Sequence, residues 1–143
     1  MYKKILFTTD GSSYAEKAAE HAKFLAKASG AELVALSVIE INFYIGIPED
    51  DSVKNLKNIL RKKAEAVLED FEKSVNSDGN EVKVTKIISE GSPAANILDT
   101  IVTEEIDVAV IGSSGKTGLS RFIIGSVAEK VIKSASCSVL VVH

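Results

Sequence analysis

The sequence predicts an α/β fold, a single doubly wound domain with a five-stranded parallel sheet and helices on both faces. Short apolar runs rich in β-branched residues alternate with segments whose apolar residues recur at helical spacing. Only a few residues separate most runs from the next segment, the spacing of consecutive βα units, whose strands must lie parallel. The chain has 143 residues, 45% hydrophobic and 26% charged, enough for one ordinary core, so one domain over residues 1–143 is expected.

The elements follow in order. KKILFTT is the first strand. SSYAEKAAEHAKFLAKASG places Ala15, Ala18, Ala19, Ala22, Leu25 and Ala26 on one helical face, with Ser13 and Glu16 expected as a capping box and Gly30 as the stop. AELVALSVIE is the second strand. After an irregular loop, Val53, Leu56, Leu60, Ala64, Val67, Leu68, Phe71 and Val75 share the face of a long helix that ends at SDGN. EVKVTKIIS is the third strand, followed by a helix with Ser92 at its N-cap and Pro93 at its first position, where a missing N–H costs nothing. DVAVIG is the fourth strand. GSVAEKVIKSA is a short helix with a second expected box, Ser126 to Glu129, and SVLVV is the last strand.

Charge and composition exclude several functions. A net charge of -3 and a pI near 5.4, with Lys and Arg scattered among more Asp and Glu, argue against nucleic acid as a partner. The first residues lack the apolar stretch of a signal segment and no run approaches membrane-spanning length, so a cytoplasmic protein without a membrane partner is expected. One cysteine, Cys137, makes no internal disulfide and reads as a small residue before the last strand. His21 lies on the polar side of its helix.

Doubly wound sheets bind ligands at the carboxyl ends of their strands, here TTDGSS, SVIEINF, ISEGSP and IGSSGKTG. The GKT within the last resembles a phosphate-loop lysine motif but is not one. That loop needs four residues between its first glycine and the Gly-Lys pair, whereas two separate Gly112 from Gly115. A dinucleotide fingerprint fails too, because some ten residues intervene before Gly125 and the helix it opens. What remains is a strand end, a glycine turn expected to use positive φ at Gly112 and Gly115, an excursion, and a helix opened by Gly125 and Ser126. Turn N–H groups facing a helix N-terminus form a cradle for a polyphosphate. Lys116 and Arg121, in the excursion, read either as solvated loop charges or as positive charge for that cradle. Asp10, ending the first strand, offers a carboxylate to sugar hydroxyls or to the first turn of its helix.

Gly-x-x-Gly, nine residues, then Gly-Ser resembles the ATP-binding signature of the universal stress protein family, matched by Gly112, Gly115, Gly125 and Ser126. ILFTTDGS, SVIE and VIKSASCSVLVV are similar to that family's first strand, second strand, and terminal helix with dimerising strand. The resemblance covers essentially the whole chain except the loop from Ile41 to Asp51 and the start of the second helix. It implies the ATP-binding branch of the family, strand order 3-2-1-4-5, and ATP lying across the strand ends with Mg2+ or Mn2+ bridging its phosphates. Val38 would meet the adenine through its backbone and Asp10 the adenosine part, while Gly112, Gly115, Gly125, Ser126 and Val127 form the phosphate wall. Thr8, Thr9 and Ile111 complete the implied site. Ser114 stands where many members of that branch carry histidine or arginine.

Three function classes are open on this reading: an ATP-binding regulatory module of the stress response, a slow ATP hydrolase or phosphotransferase, and a phosphoacceptor, flavin or other non-nucleotide interaction domain of similar topology. A receiver needs an aspartate ending the third strand, which runs KIISEG. A flavin needs a phosphate loop where TTDGSS puts a carboxylate. The family order also makes the last strand a sheet edge. Ser138, Val139, Leu140, Val141 and Val142 include no Lys or Pro to discourage pairing, so a homodimer joined there is expected. Phe43, Tyr44 and Pro48 read equally as plain core residues or as a cover for that edge, the adenine or a partner.

Overall fold

The computed structural model describes residues 1–40, 46–114 and 123–143. It contains β1 (Lys4–Thr8), α1 (Ser13–Ser29), β2 (Glu32–Ile39), α2 (Asp51–Val75), β3 (Val84–Glu90), α3 (Pro93–Thr103), β4 (Val108–Gly112), α4 (Ser126–Ser134) and β5 (Ser138–Val142). The strands pair parallel in the order β3-β2-β1-β4-β5, as the sequence implied.

Two apolar layers flank the sheet, because alternate strand residues point to opposite faces. Ile5, Phe7, Leu33, Ala35, Val108 and Val110 face α1 and α2. Leu6, Val34, Leu36, Ala109 and Ile111 face α3 and α4. The α1 stripe of Ala15, Ala18, Ala19, Ala22 and Ala26 is fully buried, and its small side chains let the helix axis lie close to the strands. α2 is anchored by Ala64, Leu68, Phe71 and Val75, with the Phe71 ring stacked at a tilt on Phe7 (centroids 4.4 Å apart).

Both expected capping boxes are corrected by one residue. The turn after β1 is wound so tightly that Ser12 is the N-cap of α1, its hydroxyl accepting from the Ala15 N–H; Ser13 is already helical, and alanine stands where the box needs Glu. In α4 the N-cap is Gly125, Ser126 is the first helical residue, and no side chain caps the helix. Gly30 ends α1 with φ 71°, and Ser92 with Pro93 opens α3, as read from the sequence.

At the amino end of the sheet one carboxylate ties β1 to β4. Asp107 Oδ2 accepts from the backbone N–H groups of Lys3 (2.6 Å) and Lys4 (2.9 Å), while the Asp107 N–H donates to the Lys4 carbonyl. The Lys4 and then the Lys3 N–H bonds hold the Asp107 carboxyl below its usual pKa. The native state therefore favours the carboxylate, and the stabilisation is present above the unfolded-state pKa and lost as pH falls through the native value. Asp107→Ala is expected to lower the melting temperature at pH 7. Thermal scans against pH should show wild type and variant converging below about pH 4; a constant gap would contradict the clamp.

Candidate functional site

The site begins where β1 leaves the sheet. Its last paired residue is Thr8, opposite Leu36, and the Thr9 N–H still donates to the Leu36 carbonyl (3.0 Å). Thr9 Oγ1 then accepts from the Gly11 N–H (3.1 Å) and Asp10 Oδ1 from the Ser12 N–H (2.9 Å), turning the chain into α1 with Gly11 at φ 77°. Thr9 is buried, while Asp10 is exposed with Oδ2 unpartnered among the described residues.

This departure has a consequence in β2. The Leu36 carbonyl points to β1 and the Ile39 carbonyl, which accepts from Gly91 N–H (2.9 Å), points to β3. Successive residues of a strand present their N–H and C=O to alternate sides, so those of Val38 point to the β1 side. Among the described residues no strand pairs with them there, because β1 has ended and the next N–H along, that of Gly11, is given to Thr9. A donor and an acceptor from one residue are thus presented side by side in the crevice where strand order reverses. Ser89 pairs with Val38 in register and shares its face; its Oγ is the buried side-chain polar atom without a partner among the described residues. Sequence reading passed over Ser89. The signal available was its place at a strand end, within ISEGSP.

Across the crevice, Ser113 joins three elements. Its N–H donates to the Val142 carbonyl of β5 (2.8 Å), and its own carbonyl accepts from the Gly125 N–H (2.7 Å) at the start of α4. Ser113 and Ser114 are both buried. The Gly125 carbonyl accepts from the Glu129 N–H, and, with no side-chain cap, the first-turn N–H groups of Ser126, Val127 and Ala128 are left for a ligand or solvent. An uncapped helix N-terminus beside a strand end is suited to an anion.

Gly112 and Gly125 act here by size and not by φ, which at Gly112 corrects the sequence expectation. Gly112 does not take positive φ, and Gly125 has φ -63°. A Cβ on Gly112 would stand 3.0 Å from both the carbonyl carbon and Cβ of Tyr14, so this glycine lets α1 cross the end of β4. A Cβ on Gly125 would stand 3.3 Å from the Ser113 carbonyl oxygen, so that glycine lets α4 meet the β4 turn.

Of the residues singled out, Thr8, Thr9, Asp10, Val38, Ile111, Gly112, Ser114, Gly125, Ser126 and Val127 lie at the carboxyl ends of β1, β2 and β4 or at the start of α4. Gly115, Lys116 and Arg121 lie outside the described residues, as do Phe43 and Tyr44. Among the described residues no three acidic, His or Cys side chains cluster to hold a metal.

A doubly wound sheet with a crevice at its switch point and a bare helix N-terminus beside it defines a class of small-anion and nucleotide sites. This chain belongs to the universal stress protein family, whose model matches residues 1–143. Universal stress protein MJ0531 of Methanocaldococcus jannaschii is 39% identical over 142 residues, 99% of this chain and 82% of that protein. MJ0577 of the same organism is 34% identical over 156 residues, and its solved structure aligns with a TM-score of 0.87 over 99% of this chain and 96% of that one. UspA from Lactobacillus plantarum aligns with a TM-score of 0.91 at 27% identity, over 99% and 98% of the two chains.

The packing role of Gly112 is testable apart from any ligand. Gly112→Ala should cost about 1–3 kcal/mol of unfolding free energy in urea, since backbone atoms of α1 must yield. Gly30→Ala, with open space around its Cβ but φ 71°, serves as the comparison for strain without a clash. An unchanged urea midpoint in Gly112→Ala would contradict the close approach.

Proposed function

We propose that this chain binds ATP in the crevice and serves as a nucleotide-dependent regulatory module of the stress response, with residues 1–143 acting as one nucleotide-binding domain. The observation that carries the reading is the open N–H and C=O of Val38. Adenine presents an N6 donor beside an N1 acceptor, the complement of a C=O beside an N–H on one strand edge. On this reading the Asp10 carboxylate accepts from the ribose, and phosphates lie against Gly112, Gly125, Ser126 and Val127 at the start of α4. Lys116 and Arg121 belong to the proposal as added charge, Gly115 as a turn residue, and Thr8, Thr9, Ile111 and Ser114 as the walls. Mg2+ or Mn2+ is bound through the phosphates.

Proteins of this fold have been solved in complex with cAMP and, from Archaeoglobus fulgidus, with dAMP, at 22% and 21% identity to this chain. Those likenesses speak for the fold; the ligand assignment here rests on the crevice and on the Gly112, Gly115, Gly125, Ser126 pattern. Hydrolysis is expected to be slow or absent, the site being one for orientation and charge compensation. No helix among the described residues is long and apolar enough to cross a membrane. A cytoplasmic location is part of the proposal.

Calorimetry with ATP and magnesium tests it. Asp10→Asn, which keeps an Oδ1 acceptor for the Ser12 N–H, should melt like wild type and bind ATP about 1–3 kcal/mol more weakly. Lowered melting with unchanged affinity would leave Asp10 only its turn role, and no heat at millimolar ATP would overturn the reading.

We propose further that two copies pair antiparallel along β5, an edge strand whose Val139, Leu140 and Val141 are half-exposed. The Val142 carbonyl faces β4. By alternation the N–H groups of Val139 and Val141 face outward. Val139→Pro should therefore sediment as a folded monomer, whereas Val142→Pro would injure the sheet itself. A monomeric wild type at tens of micromolar, or an unaltered mass in Val139→Pro, would refute the seam.

A further inference from the structure

α2 is longer than the sheet it packs on. Lys86 in the middle of β3 pairs with Glu72, and Glu90 at the end of β3 pairs with Arg61 (3.2 Å), which sets the level of the helix against the strand. Residues 51–60 therefore run past the carboxyl end of the sheet, by about 15 Å at the helical rise. None of the residues before Ala64 is buried. The overhang nonetheless keeps an apolar ridge: Leu56 is 41% and Ile59 62% exposed, Val53 and Leu60 are half-exposed, and Ile47 ahead of the helix is 52% exposed.

Charge distinguishes this ridge from the rest of the molecule. Residues 52–63, the overhang after its first residue with the turn that follows, hold five of the chain's 17 Lys and Arg and none of its 20 Asp and Glu, while Glu49, Asp50 and Asp51 stand at the tip. Lys57 is paired with Glu49 and Arg61 with Glu90, whereas Lys54, Lys62 and Lys63 have no ion pair among the described residues. A basic, apolar helix face on a chain of net charge -3 is a local complement to an acidic partner. An extended anionic bilayer would meet the acidic remainder of the chain as well as this segment, which argues against a membrane.

We infer that the first half of α2, the overhang with the turn that follows it, is a docking surface for an acidic amphipathic helix of a partner protein, which lays apolar residues on Leu56 and Ile59 and carboxylates against Lys62 and Lys63. This docking stands whether or not nucleotide binds, and the surface lies at the same end of the sheet as the crevice.

The probe is a labelled synthetic helical peptide with leucine at i, i+4 and i+7 and glutamate at most other positions, titrated with the full chain by fluorescence anisotropy. Binding should weaken at higher salt and fall about tenfold or more in Ile59→Glu and in Lys62→Glu with Lys63→Glu. Unchanged melting curves would confirm that these exposed substitutions leave the fold intact. A peptide of the same composition, shuffled so that its leucines no longer share a face, should bind about tenfold more weakly. The inference is overturned by absence of binding, by equal binding of the shuffled peptide, or by indifference to both variants. It is equally overturned if phosphatidylserine vesicles take up the wild type and release these variants, which would make the surface a membrane contact.

Discussion

The carboxyl end of this molecule is organised by the point at which β1 stops. A central strand has two neighbours, and while it runs it satisfies peptide groups on both. β1 satisfies β2 only as far as Leu36, and then the Thr9, Asp10 and Gly11 turn consumes its own donors. β2 continues to Ile39 and remains paired to β3 through Glu90. Val38 is thereby held rigidly on one side and left open on the other, a fixed donor and acceptor at no cost in loop ordering. Preorganisation of this kind separates a binding edge from an ordinary frayed strand end.

Close packing on the other flank holds the second half of the crevice in place. Gly112 admits α1 and Gly125 admits α4, each because a Cβ would press on backbone atoms. Ser113 bonds to both β5 and the start of α4. Any ligand that pulls on the first turn of α4 therefore pulls on Ser113, the residue that also holds the end of β5. If the last strand is a dimer seam, Ser113 links an occupied crevice to the joined surface through two hydrogen bonds and not by proximity alone.

The sequence carried the order of elements, and its family resemblance carried the strand order. The five-residue span of β5 was read correctly from its β-branched run between polar flanks. Caps slipped by one residue at Ser12 and Gly125 because they depend on how tightly the preceding turn is wound, and side-chain bonds at Thr9 and Asp10 set that. Gly112 was located for a conformational reason and is used for a steric one, since one-dimensional spacing does not tell which backbone lies opposite a glycine. The overhang of α2 was hidden for a related reason. Val53, Leu56 and Leu60 continue the apolar period of Ala64, Leu68 and Phe71, and periodicity gives no sign that the sheet beneath has ended. Ser89 and Ser113 were unmarked because serine at a strand end is common, and burial with or without a partner is a property of the assembled fold.

Amide hydrogen exchange read by NMR tests most directly whether the open backbone groups of Val38 hold the base. Without nucleotide the Val38 N–H should exchange far faster than those of the core residues Leu36 and Val110. Saturating ATP with magnesium should slow Val38 markedly while leaving those core amides unchanged. If ATP is bound, as calorimetry on the same sample would establish, and the Val38 amide exchanges as before, the base is not held on this edge and the account of the crevice is wrong.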